Sequence, residues 1–167
     1  MGAIQPLTEA SDPKLADAAR HLFRAYAAFL REIVACHAFN FTRFEDEIAT
    51  LPIPYSSHNG DLLLALAAPD TPIGCVAFRA ATSGPEICEL KRLFVLPAHR
   101  GHGVAEELVR TALDRARSRG YRTAILDTEP STMQAAQGLY LKLGFGPYVP
   151  SHPHNPVDVL YLRRALA

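Results

Sequence analysis

The stretch HRGHGVAEEL, residues 99 to 108, is the part of this chain best suited to chemistry. Two glycines, Gly101 and Gly103, flank His102. Arg100 precedes them, and a helical pattern follows at once. The residues before it, Ile87 to Leu96, read as a strand closed by Pro97. Strand, Gly-x-Gly, helix is an arrangement that presents bare N–H groups. The first turn of a helix has unsatisfied amides and a partial positive charge. Glycines leave no side chain in the way of an approaching anion, and Arg100 and His102 add charge or a hydrogen bond. Taken locally, the pattern fits a tight turn with no ligand as well as it fits an anion cradle. Two familiar phosphate loops do not fit. A P-loop needs Gly-Lys-Ser/Thr, and the dinucleotide fingerprint needs a small residue where Glu106 stands.

Several elements must position that loop. Asp12 reads as an N-cap with Pro13 at the first helical position. Leu15, Ala19, Leu22, Tyr26, Phe29 and Ile33 then recur at helical spacing, so a long amphipathic helix runs to about Val34. A short strand precedes it near Ile4 to Leu7. A second helix is expected over Thr42 to Thr50, and a loop over Pro52 to Gly60. The period then changes. Residues 61–68 and 73–81 are apolar runs joined by Pro69-Asp70-Thr71-Pro72, which reads as an antiparallel hairpin, and residues 87–96 form the next strand. A helix over 102–119 has acidic residues at its start, arginines at its end and Gly120 as its stop. Strand 123–129, helix 131–145, a strand near Phe145 to Val149, a Pro/His-rich loop over 150–156 and a last strand over 157–166 follow. This order predicts an α+β (mixed α/β) fold in one domain spanning 1–167. Its mixed, mostly antiparallel sheet has about six to seven strands, with helices on both faces.

Composition narrows the function classes. The formal net charge is zero, which argues against non-specific nucleic-acid binding. No apolar run approaches the roughly 20 residues of a membrane span, and MGAIQPLTEASDP has neither the basic region nor the apolar core of a signal peptide. Cys36, Cys75 and Cys88 are odd in number and widely spaced. A reducing cytoplasm, with each cysteine a small buried apolar residue, is the expected setting.

Two motifs carry a family resemblance. LKRLFVLPAHRGHGVAEELV resembles the acetyl-CoA motif of the GCN5-related N-acetyltransferases (GNAT superfamily): Arg100, Gly103 and Ala105 match Arg/Gln-x-x-Gly-x-Gly/Ala, and Leu93, Val95 and Pro97 match the strand before it. AAQGLYLKLGF resembles the second motif, with Ala136, Leu139, Tyr140, Gly144 and Phe145 in place. The resemblance covers about residues 88–146. Met133 stands where the family often has an asparagine against the pantetheine arm. The resemblance implies an enzyme whose cofactor is acetyl-CoA (coenzyme A after transfer). Leu93, Phe94 and Val95 would line the pantetheine, and the Phe94 and Val95 amides would be left unpaired where the strand splays. Amides from Arg100 through Gly101, His102, Gly103, Val104 and Ala105 would hold the pyrophosphate, with Met133, Ala136 and Tyr140 alongside.

Acetyl transfer to an amine makes three demands. The amine must lose a proton, the developing oxyanion needs donors, and the departing thiolate gains from an acid. Tyr140 is the candidate acid, since a phenol with a pKa near 10 keeps its proton at neutral pH. Glu89 is the candidate base, directly or through water, because some family members carry a catalytic glutamate at this spacing. A pairing with Lys91, Arg92 or a neighbouring strand is the alternative for it. On the acceptor side the resemblance points to Phe29 and to Tyr148, His152 and Asn155. His152-x-His154 offers two metal ligands and no third, so no metal is expected. The arginines near the acceptor regions give a weak preference for carboxylated amines such as amino acids. The leading expectation is transfer to a primary amine of a small molecule, by direct transfer in a ternary complex. Acetylation of a protein N-terminus or lysine, and a non-catalytic acyl-CoA-binding module, are the alternatives. Homodimers are frequent in the family, and the C-terminal strand is expected to offer an edge for one.

Overall fold

In a computed structural model, which describes residues 3–33, 40–130, 132–151 and 159–166, Asp12 starts the longest helix. Its carboxylate accepts the Lys14 N–H at 2.8 Å, and α1 runs from Pro13 to Ile33. Leu15, Ala19, Leu22, Phe23, Tyr26, Ala27 and Leu30 form its buried stripe. Asn40 caps α2 (Phe41–Ala49) by accepting the Arg43 N–H. A single turn, α3 (Ile53–Ser56), follows where the sequence predicts a loop. Burial of Tyr55 and the bond from its hydroxyl to Glu47 hold that turn, and neither contact leaves a mark in local periodicity.

The strands are β1 (Ile4–Leu7), β2 (Asp61–Ala68), β3 (Thr71–Ala80), β4 (Ile87–Val95), β5 (Thr123–Thr128), β6 (Gly146–Pro147) and β7 (Leu160–Ala165). They form one seven-stranded sheet in the order β1-β2-β3-β4-β5-β7-β6. Among the described residues only β4 and β5 pair in parallel. The remaining helices are α4 (Val104–Ser118) and α5 (Gln134–Lys142). Strand alternation gives the sheet two apolar faces. Leu63, Val76, Leu90 and Leu126 pack toward Leu108, Ala112 and Leu113 of α4. Leu62, Leu64, Ala77 and Phe94 pack toward Phe23, Leu30, Phe44 and Ile48 of α1 and α2. Helices on both faces of a mostly antiparallel mixed sheet are the architecture the sequence predicts.

The C-terminal strand is not the edge expected of it. β7 lies between β5 and β6, with six residue pairs to β5 from Thr123↔Ala165 to Thr128↔Leu160. The edges are β1 and β6. The strand that follows α5 is also short, Gly146–Pro147, and Pro147 has no N–H to extend a ladder.

One feature of the sheet matters most for the site. β4 and β5 pair only at Ile87↔Thr123, Cys88↔Ala124 and Glu89↔Ile125. Beyond Glu89 the two strands part. The cause lies in the opposite ladder. Cys75 pairs with Phe94 and Ala77 with Lys91, so Val76 on β3 faces both Arg92 and Leu93 on β4. Such a bulge bends its strand and increases its twist. Arg92 carries the strain of the bulge, with φ of 61°. It is held there from the α2 side: its Nε and Nη2 donate to the two oxygens of Glu47, each at 2.8 Å, and its guanidinium lies 4.6 Å from the Phe44 ring centre.

Candidate active site

The parted strands open onto a groove of about 450 Å³. Leu93, Phe94 and Val95 form its floor, the loop and helix start from His99 to Glu106 one wall, and Thr132, Met133, Ala135, Ala136 and Leu139 the other. Tyr26 and Phe29 of α1 close its inner end. The groove thus joins the two sequence motifs.

Main-chain direction on β4 decides what the floor offers. The Leu96 N–H donates to Ile73 of β3 at 2.9 Å. By the two-residue alternation of a strand, the Phe94 amide turns to β3 as well. The amide and carbonyl of Val95 turn to the side β5 has left. Of the two amides expected to be unpaired, Val95 therefore faces the groove, and Phe94 contributes its ring. That ring stacks on Tyr26, centroids 5.0 Å apart.

The glycine loop behaves as a cradle. Gly101 and Gly103 have φ of 78° and 81°, and a Cβ on either would meet nothing within 4 Å. α4 starts at Gly103 without a side-chain cap, so the amides of its first turn have no side-chain partner. Left-handed backbone costs a residue with a Cβ about 1–2 kcal/mol. Gly103→Ala is accordingly expected to lower stability by that amount, read from urea unfolding, since strain and no clash is involved. Glu106 stands at the same helix start, but Lys142 and Arg110 donate to it at 2.6 Å and 2.9 Å. Those bonds hold its carboxyl below the usual range and offset its charge where an anion would sit.

Arg100 folds back over the groove. Its Nε donates to the Val95 carbonyl at 2.9 Å, and its guanidinium sits 4.7 Å from the Phe29 ring centre. The His102 side chain is exposed and leaves only its backbone to the loop.

Tyr140 and Glu89 lie outside the groove lining. Tyr140 follows Ala136 by one turn of α5. It is 8% exposed and meets Phe145 edge to face, centroids 5.7 Å apart. Burial, helped by the neighbouring Tyr26 phenol and the Asp127 charge, pushes its phenol above the ordinary value. Glu89 is held by Lys91 at 2.9 Å and Arg79 at 4.0 Å; Arg92 turns instead to Glu47. Tyr148, after β6, stacks edge to face on Tyr161 at 6.2 Å. His152 and Asn155, with His154 and Cys36, lie outside the described residues. Sequence reasoning missed Tyr26, His99, Glu106, Thr132, Ala135 and Leu139 as lining residues. Tyr26 reads as one more apolar position of α1, and His99 as a loop residue beside the motif.

Proteins of known fold and sequence share this arrangement. An acetyltransferase of the GNAT family from Staphylococcus aureus Mu50 superposes with a TM-score of 0.77 at 15% identity, covering 99% of this chain and 100% of that one. A phosphinothricin acetyltransferase from Sinorhizobium meliloti, solved in complex with AcCoA, has a TM-score of 0.69 at 18% identity, covering 98% and 87%. These likenesses show the fold. The chain belongs to the acetyltransferase (GNAT) family, whose model matches residues 22–145. An uncharacterized N-acetyltransferase of Schizosaccharomyces pombe is 35% identical over 124 residues, 74% of each chain. Matches to mammalian N-acetyltransferases span less than half of those proteins. This protein is an acyl-CoA-dependent N-acyltransferase. No described helix is long and apolar enough to cross a membrane.

Proposed function

We propose that this chain transfers an acetyl group from acetyl-CoA to the primary amine of a small molecule, directly, with both substrates bound together. The observation that carries the reading is the groove itself. It pairs an uncapped helix start and two open glycines with a strand whose Val95 main chain faces away from its neighbour. The residues present suit the cofactor. Amides of the loop from Gly101 to Ala105 suit a pyrophosphate. Leu93, Phe94 and Val95, with Met133 and Ala136 opposite, suit the long pantetheine arm. When bound, acetyl-CoA supplies the thioester whose acetyl group is moved.

The chain's own groups divide the remaining work. The Val95 N–H donates to charge that develops on the thioester oxygen. Tyr140 holds a proton for the departing sulfur. Glu89 accepts the amine's proton through water, a route that suits a carboxylate already occupied by Lys91 and Arg79. Phe29 and Tyr148 lie toward the acceptor. The whole chain, 1–167, works as one domain in the cytoplasm. One sheet built from both halves of the sequence supports the first part, and the free buried thiols of Cys75 and Cys88 support the second.

The test is release of CoA thiol from acetyl-CoA across a panel of amines, amino acids, antibiotics and short peptides. Release that depends on one small-amine class is the expected result. Release with peptides alone would move the acceptor to proteins. Acetyl-CoA that neither turns over nor raises the melting temperature would overturn the reading.

A further inference from the structure

Alternation along β4 and β5 sorts the charges near the fork. Cys88, Leu90, Ala124 and Leu126 face α4. Glu89, Lys91, Ile125 and Asp127 therefore face the other side. Arg79 joins them opposite Glu89, and Tyr161 opposite Asp127. The two carboxylates on this face differ sharply. Glu89 has Lys91 and Arg79. The Asp127 side chain, partly buried, makes no hydrogen bond or ion pair among the described residues; its main chain belongs to the ladder with β7. β4 would have flanked it, but β4 leaves β5 after Glu89. The side chain therefore stands at the opening of the fork.

Three phenols, each from a different part of the chain, lie within electrostatic reach of that position. Burial is the main cause that raises the phenols of Tyr26, Tyr140 and Tyr148, with Tyr26 reaching about 12, and the charge of Asp127 adds to all three. Tyr26 closes the inner end of the groove. Tyr140 is the proposed acid. Tyr148, over Tyr161, belongs to the acceptor side. Asp127 thus lies where the groove, the acid and the acceptor side meet.

We infer that Asp127 receives the acceptor: its carboxylate binds the acceptor's ammonium group at the fork between β4 and β5, so the acceptor is an amine that enters protonated. A partly buried carboxylate with no ion-pair partner among the described residues is costly, and an ammonium ligand supplies the counter-charge. The Tyr148 ring is already covered by the Arg163 guanidinium, 5.9 Å from its centre, so the carboxylate and not the rings carries the recognition. Glu89, already neutralised, has less to offer a cation. This assignment rests on the acetyl-CoA reading, and its test separates the two.

Two CoA thioethers serve as probes whatever the natural acceptor. S-(2-aminoethyl)-CoA carries an ammonium two carbons from the sulfur, close to where an incoming amine would stand. S-propyl-CoA has the same length and no charge. Calorimetry at pH 7 is expected to show wild type preferring the ammonium probe by about tenfold, the scale of one charged hydrogen bond. Asp127→Asn should bind both probes equally, with its affinity for S-propyl-CoA unchanged. Glu89→Gln should keep the preference. Equal binding of the two probes by wild type, or a preference that survives in Asp127→Asn, overturns the assignment alone. If neither probe nor CoA binds wild type, the acetyl-CoA reading falls and takes this assignment with it.

Discussion

Tyr140→Phe is expected to lower kcat by about 10²–10⁴-fold, the usual worth of a positioned general acid. Affinity for acetyl-CoA should stay where it is. The substitution removes one oxygen and keeps the ring, so the edge-to-face contact with Phe145 survives. The residues that line the groove are unchanged, so most of the cofactor's binding surface is kept. What goes is the proton for the leaving sulfur. Burial keeps that proton in place. It raises the phenol above its ordinary value, so the neutral form persists across the assay range and the Tyr140 contribution should hold up to about pH 10. Steady-state kinetics with the acceptor found by the panel, run beside calorimetry with CoA, separates the two effects. A variant with unchanged kcat would make Tyr140 a core residue and nothing more.

Glu47→Ala is expected to destabilise the fold by about 3–5 kcal/mol, the cost of stranding one partner of a buried ion pair. Glu47 and Arg92 are 14% and 17% exposed, and Arg92 reaches both carboxylate oxygens. Tyr55 donates to the same carboxylate, so its hydroxyl is stranded too. Replacing the pair together, as Glu47→Leu with Arg92→Met, should recover much of the loss, because no lone charge is then buried. Urea unfolding of the single and double variants measures this. The pH dependence has a definite sign. Burial raises the Glu47 carboxyl, but the bonds from Arg92 outweigh it and the net shift is downward. A carboxyl with a lowered folded pKa contributes stability above its unfolded value, near 4.3. That contribution drains away as pH falls through the folded pKa. The advantage of wild type over Glu47→Gln should therefore be full at pH 6 and vanish in strong acid. The double replacement has a second use. Arg92 sits in the bulge that parts β4 from β5, so loss of CoA affinity in that variant would tie the groove's shape to the pair.

The legible part of the site was the part that is local in sequence. Gly101 and Gly103 are needed wherever the chain turns left-handed before a helix, and both do. Arg100, Val104, Ala105, Met133 and Ala136 line the groove because they share one loop or one helix start with such motif positions. The alternating apolar runs identified β2 to β5 within a residue or two, and the N-cap Asp12 placed α1.

Other features depend on partners far away in sequence. Arg92 and Glu47 are 45 residues apart, and nothing near either announces the other. Asp127 looks like an ordinary half-buried strand position until β4 is seen to leave its side. Tyr26 became a groove residue only because α1 crosses the end of β4, where its ring meets Phe94. By itself the sequence determined the order of the main elements, the two-faced sheet and the glycine loop, since period, caps and glycine conformations are properties of short segments. The tertiary structure alone decided that β7 inserts beside β5, that β4 and β5 part after Glu89, and that Glu89 pairs with Lys91 and Arg79. Those outcomes depend on register and on long-range pairing, where one bulge residue redirects a strand and no single segment holds both sides of the contact.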